Sequence, residues 1–201
     1  MNEKPNIWLI TLICALLLTL AGCQKEESQP PAAPEKETPM ETQQPQVEAQ
    51  QPALAVAELK PTQNNQVTGR VTFESMNGKI RIVADLEGLE PGKHGFHIHQ
   101  TGDCSAPDAS SAGEHFNPEN TAHGAPDNPA AQRHVGDLGN VEADSSGKAH
   151  YEREDQIITL QGLNAIVGKA VIVHAQPDDL TSQPIGNAGP RVACGVIRAE
   201  N

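Results

Sequence analysis

Six of the eight histidines in this chain stand where they could bind a metal. His97 and His99 flank Ile98, and on a strand residues two apart point to the same face, so both imidazoles can reach one ion. His174 ends the apolar run Val171–Val173 and could bring a third ligand from a neighbouring strand. His115, His123, His134 and Asp137 follow one another at intervals of 8, 11 and 3 residues. Three imidazoles and a carboxylate can close a four-coordinate zinc site. Imidazole donors suit zinc and copper, and no thiolate or oxygen-rich cluster points to iron–sulfur, calcium or magnesium. A His-x-His pair or a His-rich loop carries little alone. The weight comes from the loop itself, which runs from about Gln100 to Leu138 without a secondary-structure pattern and needs something to order it. His94 reads as a structural hydrogen-bonding residue and His150, in a polar strand, as exposed.

The elements that must hold these residues read as short strands. Gln66–Phe73 and Lys79–Leu86 alternate apolar with polar side chains, the period of a half-buried strand, and Met76-Asn77-Gly78 between them is a hairpin signal. Gly95–His99, Val141–Ala143, Lys148–Arg153, Ala170–His174 and Val192–Arg198 complete the set, with Ser146-Gly147 as a further turn. No stretch has a convincing helical period. The expectation is an all-β sandwich or barrel with two long functional loops, about Gln100–Leu138 and Ala175–Pro190.

The N-terminal quarter is of another kind. A short polar start and the apolar run Ile7–Leu20 lead into Leu20-Ala21-Gly22-Cys23, so residues 1–22 read as a signal peptide. The box resembles a bacterial lipobox, with Cys23 as the lipidation site; an ordinary cleaved signal or a short membrane anchor are the alternatives. Residues 23–53, rich in Gln, Glu, Pro and Ala, read as a disordered tether with a reach on the order of tens of ångströms. Residues 54–201 form the folded domain. With Cys14 in the signal and Cys23 assigned to lipid, Cys104 and Cys194 remain as an even pair in an exported domain, which argues for a disulfide; two thiolate zinc ligands are the alternative. The tether has net charge −4 and the domain −8, which excludes nucleic acid as a partner.

Four blocks in unbroken order carry a resemblance to a known family. Gly95-Phe-His-Ile-His99, Ser111-Ala-Gly-Glu-His-Phe-Asn-Pro118, Arg133-His-Val-Gly-Asp-Leu-Gly-Asn140 and Gly186-Asn-Ala-Gly-Pro-Arg-Val-Ala-Cys-Gly195 are together similar to the Cu,Zn superoxide dismutases. The resemblance runs from about Ala53 to Arg198 and implies an eight-stranded antiparallel Greek-key barrel. It implies copper at His97, His99, His115 and His174, and zinc at His115, His123, His134 and Asp137, with His115 bridging the two. It implies that Asp178 ties His97 to His123, that Cys104 and Cys194 are bridged, and that Arg191 stands beside copper. A likeness to bacterial exported members goes with the lipobox.

The implied reaction is disproportionation of superoxide anion to oxygen and hydrogen peroxide, with Arg191 holding the anion and His115 carrying a proton. The implied location is the extracytoplasmic face of a membrane, held by the lipid; a homodimer is one assembly open to it, with quaternary structure not carried over from either the cytosolic or the exported members. A non-catalytic copper/zinc-binding module of the same fold, or a barrel kept only for interactions, are the competing readings. All seven ligand positions are filled, which speaks against the last. Three departures from the family pattern stand out. The loop after His174 is short and lacks clear counterparts of the charged residues that guide substrate. Pro190 precedes Arg191, where Ser or Gly is more usual, and should hold Gly189 extended. Cys104 sits nearer His99 than in cytosolic members.

Overall fold

The computed structural model describes residues 53–200; the expected signal, Cys23 and almost all of the tether lie outside the described residues. The elements run β1 (Leu54–Pro61), β2 (Thr68–Met76), β3 (Lys79–Glu87), β4 (Gly92–His99), β5 (Asp137–Ala143), β6 (Ala149–Asp155), β7 (Ala170–His174), β8 (Arg191–Val196) and β9 (Arg198–Glu200). Their order around the sheet is β2-β3-β6-β5-β4-β7-β8-β1-β9, and β1 also pairs with β2. All the strand pairings are antiparallel. β8 and β9 are one strand broken at Ile197, since both pair with β1, so the result is a closed eight-stranded barrel. The run β6-β5-β4-β7 places the fourth strand beside the first of three, the Greek key expected from the resemblance.

Local chemistry explains the elements. β3 alternates buried and part-exposed residues along its length, as a strand with one wet face must. It joins β2 through Asn77-Gly78, with φ of 51° and 79°, the pair of positive angles that a two-residue hairpin turn needs. β4 and β7 behave differently. They are buried almost throughout, because the core covers one face and the long loops cover the other. Phe96 and Ile98 join the main core with Phe73, Ile82 and Leu138, while His97 and His99 alternate with them under the loops.

The structure departs from the sequence reading in four places. β1 is a strand the sequence did not single out, and a third irregular stretch, residues 156–169, joins β6 to β7. The His-rich loop ends at 136, because Asp137 and Leu138 already belong to β5. Gly189 is not extended. Its φ is 74°, a value open to it because it lacks a Cβ, and this turns its carbonyl toward His174.

Candidate metal centre

The strands alone bring most of the candidate residues together. His97 pairs with Asp137 across β4 and β5, next to a bulge that re-aims the strand. His174 pairs with Arg191 across β7 and β8, again beside an irregularity, and His99 forms an isolated bridge with His115 in the loop. Two groups of potential ligand atoms result, each with its atoms within 4.8 Å of one another: His97, His99, His115 and His174, and His115, His123, His134 and Asp137. All seven residues are buried.

Hydrogen bonds fix which nitrogen of each ring faces inward. His97 Nε2 donates to Asp178 Oδ2 (2.7 Å), His99 Nδ1 to the Gly113 carbonyl (2.8 Å) and His174 Nδ1 to the Gly189 carbonyl (2.9 Å). An oxygen acceptor requires an N–H on the ring nitrogen that faces it, so the opposite nitrogen carries the lone pair. Those opposite atoms, His97 Nδ1, His99 Nε2 and His174 Nε2, are buried without a partner, as is His115 Nε2. Orphaned buried polar atoms are costly, and here they converge on one point.

The second group shows the same signature. Asp137 Oδ1 lies 2.9 Å from His115 Nδ1, 3.0 Å from His123 Nδ1 and 3.2 Å from His134 Nδ1. His123 Nδ1 and His134 Nδ1 make no hydrogen bond despite this proximity. A tetrahedral zinc with bonds of about 2.0–2.1 Å separates its ligand atoms by about 3.3 Å, so the spacing fits the edges of such a site. Asp137 Oδ2 is held by the N–H groups of Gly124 (3.1 Å) and His134 (2.8 Å), and Asp178 Oδ1 accepts from His123 Nε2 at 3.0 Å. His115 belongs to both groups, and Asp178 spans them from behind through His97 and His123.

Electrostatics favour lone pairs in the first group. Burial pushes His97 down to about 3 and His174 down to about 4, and it lowers His99 and His115 as well. In His123 burial also disfavours the proton, but the carboxylates of Asp137 and Asp178 outweigh it and raise the ring to about 9. Burial works against ionisation of Asp137 too, and its three imidazole neighbours still hold the carboxyl far below the usual range.

Arg191 completes the site. Its guanidinium donates to the carbonyls of Ala109 (2.6 Å) and Gly113 (2.7 Å), so Gly113 serves both Arg191 and His99. Cys104 and Cys194 are bridged with Cα atoms 5.8 Å apart, which ties the loop carrying those carbonyls to β8. The thiolate-ligand alternative is thereby set aside. His94 is buried with its ring between the carbonyls of Glu90 (2.8 Å) and His174 (2.9 Å), a structural role, and His150 is exposed beside Asp85. The sequence reading missed the groups that hold the site from outside: the carbonyls of Ala109, Gly113 and Gly189, and the side chains of Asn140 and Gln183. Carbonyls leave no trace in residue type, and the two amides had no spacing to mark them.

Comparison with known proteins agrees with this geometry. Residues 67–197 match the family model for copper/zinc superoxide dismutase. An extracellular Cu-Zn superoxide dismutase of Drosophila melanogaster is 46% identical over 157 residues, covering 73% of this chain and 85% of that protein. A Cu-Zn superoxide dismutase of Schizosaccharomyces pombe is 46% identical over 152 residues, covering 71% and 96%. A crystal structure of the clock protein EA4 superposes with a TM-score of 0.68 at 40% identity, covering 75% of this chain and 97% of that one. One family match spans the barrel from the end of its first loop to the break after β8, and the chain belongs to the copper/zinc superoxide dismutase family.

Proposed function

We propose that the domain converts two superoxide anions and two protons into one oxygen and one hydrogen peroxide, using copper held by His97, His99, His115 and His174 and zinc held by His115, His123, His134 and Asp137. The observation that carries this reading is the pair of buried donor sets that share His115, in which each of the six imidazoles keeps one buried nitrogen without a hydrogen-bond partner. When bound, copper would supply one-electron exchange with the substrate, and zinc would supply a fixed positive charge at the second donor set.

The chain's own residues do the rest. Arg191, fixed in plane by two carbonyls, presents positive charge beside His174 and orients an anion there. His115 Nε2, whenever it is not holding copper, is the atom at which a proton is held and passed to the reduced substrate, a task suited to imidazole. Asp178 keeps the outward nitrogens of His97 and His123 protonated and their rings in place.

Metal analysis and a superoxide-consumption assay on one purified sample test the assignment. His97→Ala should lose copper and activity while keeping most of its zinc, and Asp137→Ala should lose mainly zinc. A copper-supplied wild-type preparation without copper overturns the reading.

The domain works outside the cytoplasm. The disulfide suits an oxidising compartment, and the Drosophila relative carries "extracellular" in its name. Residues 1–22 then serve as the signal peptide, Cys23 as a lipid anchor on the extracytoplasmic membrane face, 23–53 as the tether and 54–201 as the enzyme. Two acyl chains on Cys23 would give stable anchoring. Mass spectrometry should find a lipid-modified Cys23 at the mature N-terminus, and an unmodified terminus elsewhere overturns this. A homodimer is proposed as the assembly, to be checked by light scattering. The groove beside the disulfide, lined in part by Val56, Pro61, Pro107 and Val196, offers it a face.

A further inference from the structure

Three members of the second donor set are held through their own main chain or immediate neighbours. Asp137 lies in β5, His115 bridges to His99, and the His134 N–H donates to Asp137 Oδ2. His123 has no such support from the ladder. Its N–H donates instead to Gln183 Oε1 (2.9 Å), and its carbonyl accepts from Gln183 Nε2 (2.8 Å). Among the described residues the His123 main chain makes no other hydrogen bond. One planar amide thus takes the part of a strand partner, satisfying both polar groups of a single residue.

The segment that presents Gln183 is itself well tied. Asp179 Oδ1 accepts from the N–H groups of Thr181 (3.0 Å) and Ser182 (2.7 Å), and Asn187 donates to Asp179 Oδ2 (3.1 Å). On β5, Asn140 grips Asp178 in the same two-bond manner, donating to its carbonyl (2.9 Å) and accepting from its N–H (2.7 Å). The loop also presses on the site. A Cβ at Gly186 would lie 1.9 Å from Asp178 Oδ1 and 2.6 Å from His123 Nε2, so no side chain fits there.

We infer that Gln183 is a positioning residue that latches the loop after His174 onto His123 and thereby sets how tightly the second donor set retains zinc. The inference rests on the zinc reading of that set. It gives the short loop a task other than substrate guidance. The loop reaches the barrel through Asn140 and Asp178, and reaches the His-rich segment through Gln183.

The test is a titration of the metal-free full-length chain with zinc against a competing chromophoric chelator, for the parent, Gln183→Ala and Gln183→Met. Methionine keeps the bulk and removes both hydrogen bonds. Both variants should bind zinc about tenfold more weakly, equivalent to ~1.4 kcal/mol. The His123 amide hydrogen should exchange faster in both zinc-loaded variants. The melting temperature of the metal-free protein should fall by no more than about a few degrees, because Gln183 is exposed and stands outside the core. Zinc affinity within about twofold of the parent in either variant is less than the loss of two net hydrogen bonds would give, and overturns the inference. So does a weakening that only tracks a fall in the metal-free melting temperature. A parent that takes up no zinc overturns the zinc reading itself, and the inference with it.

Discussion

At the scale of single residues burial keeps the four imidazoles of the first donor set neutral, and His123 in the second goes the other way. His97 and His174 are depressed to about 3 and about 4, whereas an unfolded chain takes up these protons near pH 6.5. The unfolded state therefore binds more protons as pH falls below that value, and the metal-free domain should lose stability between about pH 6.5 and pH 3. His123 has the opposite sign. Raised to about 9, it contributes stability that is present below about pH 6.5 and is lost as pH rises through 9. Melting temperatures of chelator-treated protein should thus peak near neutrality; a curve still rising at pH 9 would contradict the His123 assignment. The role proposed for Arg191 rests on charge and direction. Arg191→Ala should lower the superoxide rate about ten- to a hundredfold with both metals retained, while Arg191→Lys, a point charge without the planar fork, should recover only part of it. Metal loss in Arg191→Ala would show a structural role instead.

At the scale of elements, β6 pins the His-rich loop to the barrel. Tyr151 donates from its hydroxyl to the Leu138 carbonyl (3.0 Å), and Asp155 forms a buried pair with Arg133 while accepting the N–H groups of Ile157 (2.7 Å) and Ile158 (3.1 Å). Arg133 also donates to the carbonyls of His134 (3.2 Å) and Asp137 (3.1 Å). Arg133→Ala leaves the Asp155 carboxylate buried without its partner and should cost about 3–5 kcal/mol in denaturant unfolding. Adding Asp155→Asn, which removes the stranded charge and keeps an oxygen for the Ile157 and Ile158 N–H groups, should return much of that loss; a single variant as stable as the parent would show the pair to be idle. Strands with one wet face were legible in sequence, as β2 and β3 were, because alternation follows directly from the pleat. β1 was not, since its Ala-rich run is largely buried and lacks the contrast. The 156–169 connection escaped notice for a related reason: Ile158, Leu160 and Ile166 cap the core, so its composition does not look like a loop. The two candidate donor sets were legible because metal chemistry demands particular side chains. Arg133 and Asn140 stood inside recognised blocks, yet nothing in their spacing told that their partners would be main-chain groups.

At the scale of the whole molecule, charge and closure matter most. The domain carries net −8, and several of its basic side chains are paired on the outer face, Arg70 with Glu58 and Glu200, Lys79 with Glu154, Arg81 with Glu152. An anionic substrate therefore meets a repelling surface with Arg191 as the local attractor. Salt screens both over a Debye length of about 8–10 Å. If the local field at Arg191 prevails, the rate should fall as ionic strength rises, and Arg191→Ala should flatten or invert the trend. A wild-type rate that climbs with salt would require the steering role of Arg191 to be withdrawn. Closure has a consequence in time. β1 is completed by β8 and β9, with Leu54 opposite Glu200, so the first strand of the domain waits for the last. A chain delivered N-terminus first can arrange seven strands early, but the cylinder shuts only when residues 191–200 arrive. Those residues bring Arg191 and Cys194 with them. The arginine proposed to hold the anion, the covalent tie and the sealing of the barrel therefore come as one late event, and a truncated or unfinished chain has no partly working form.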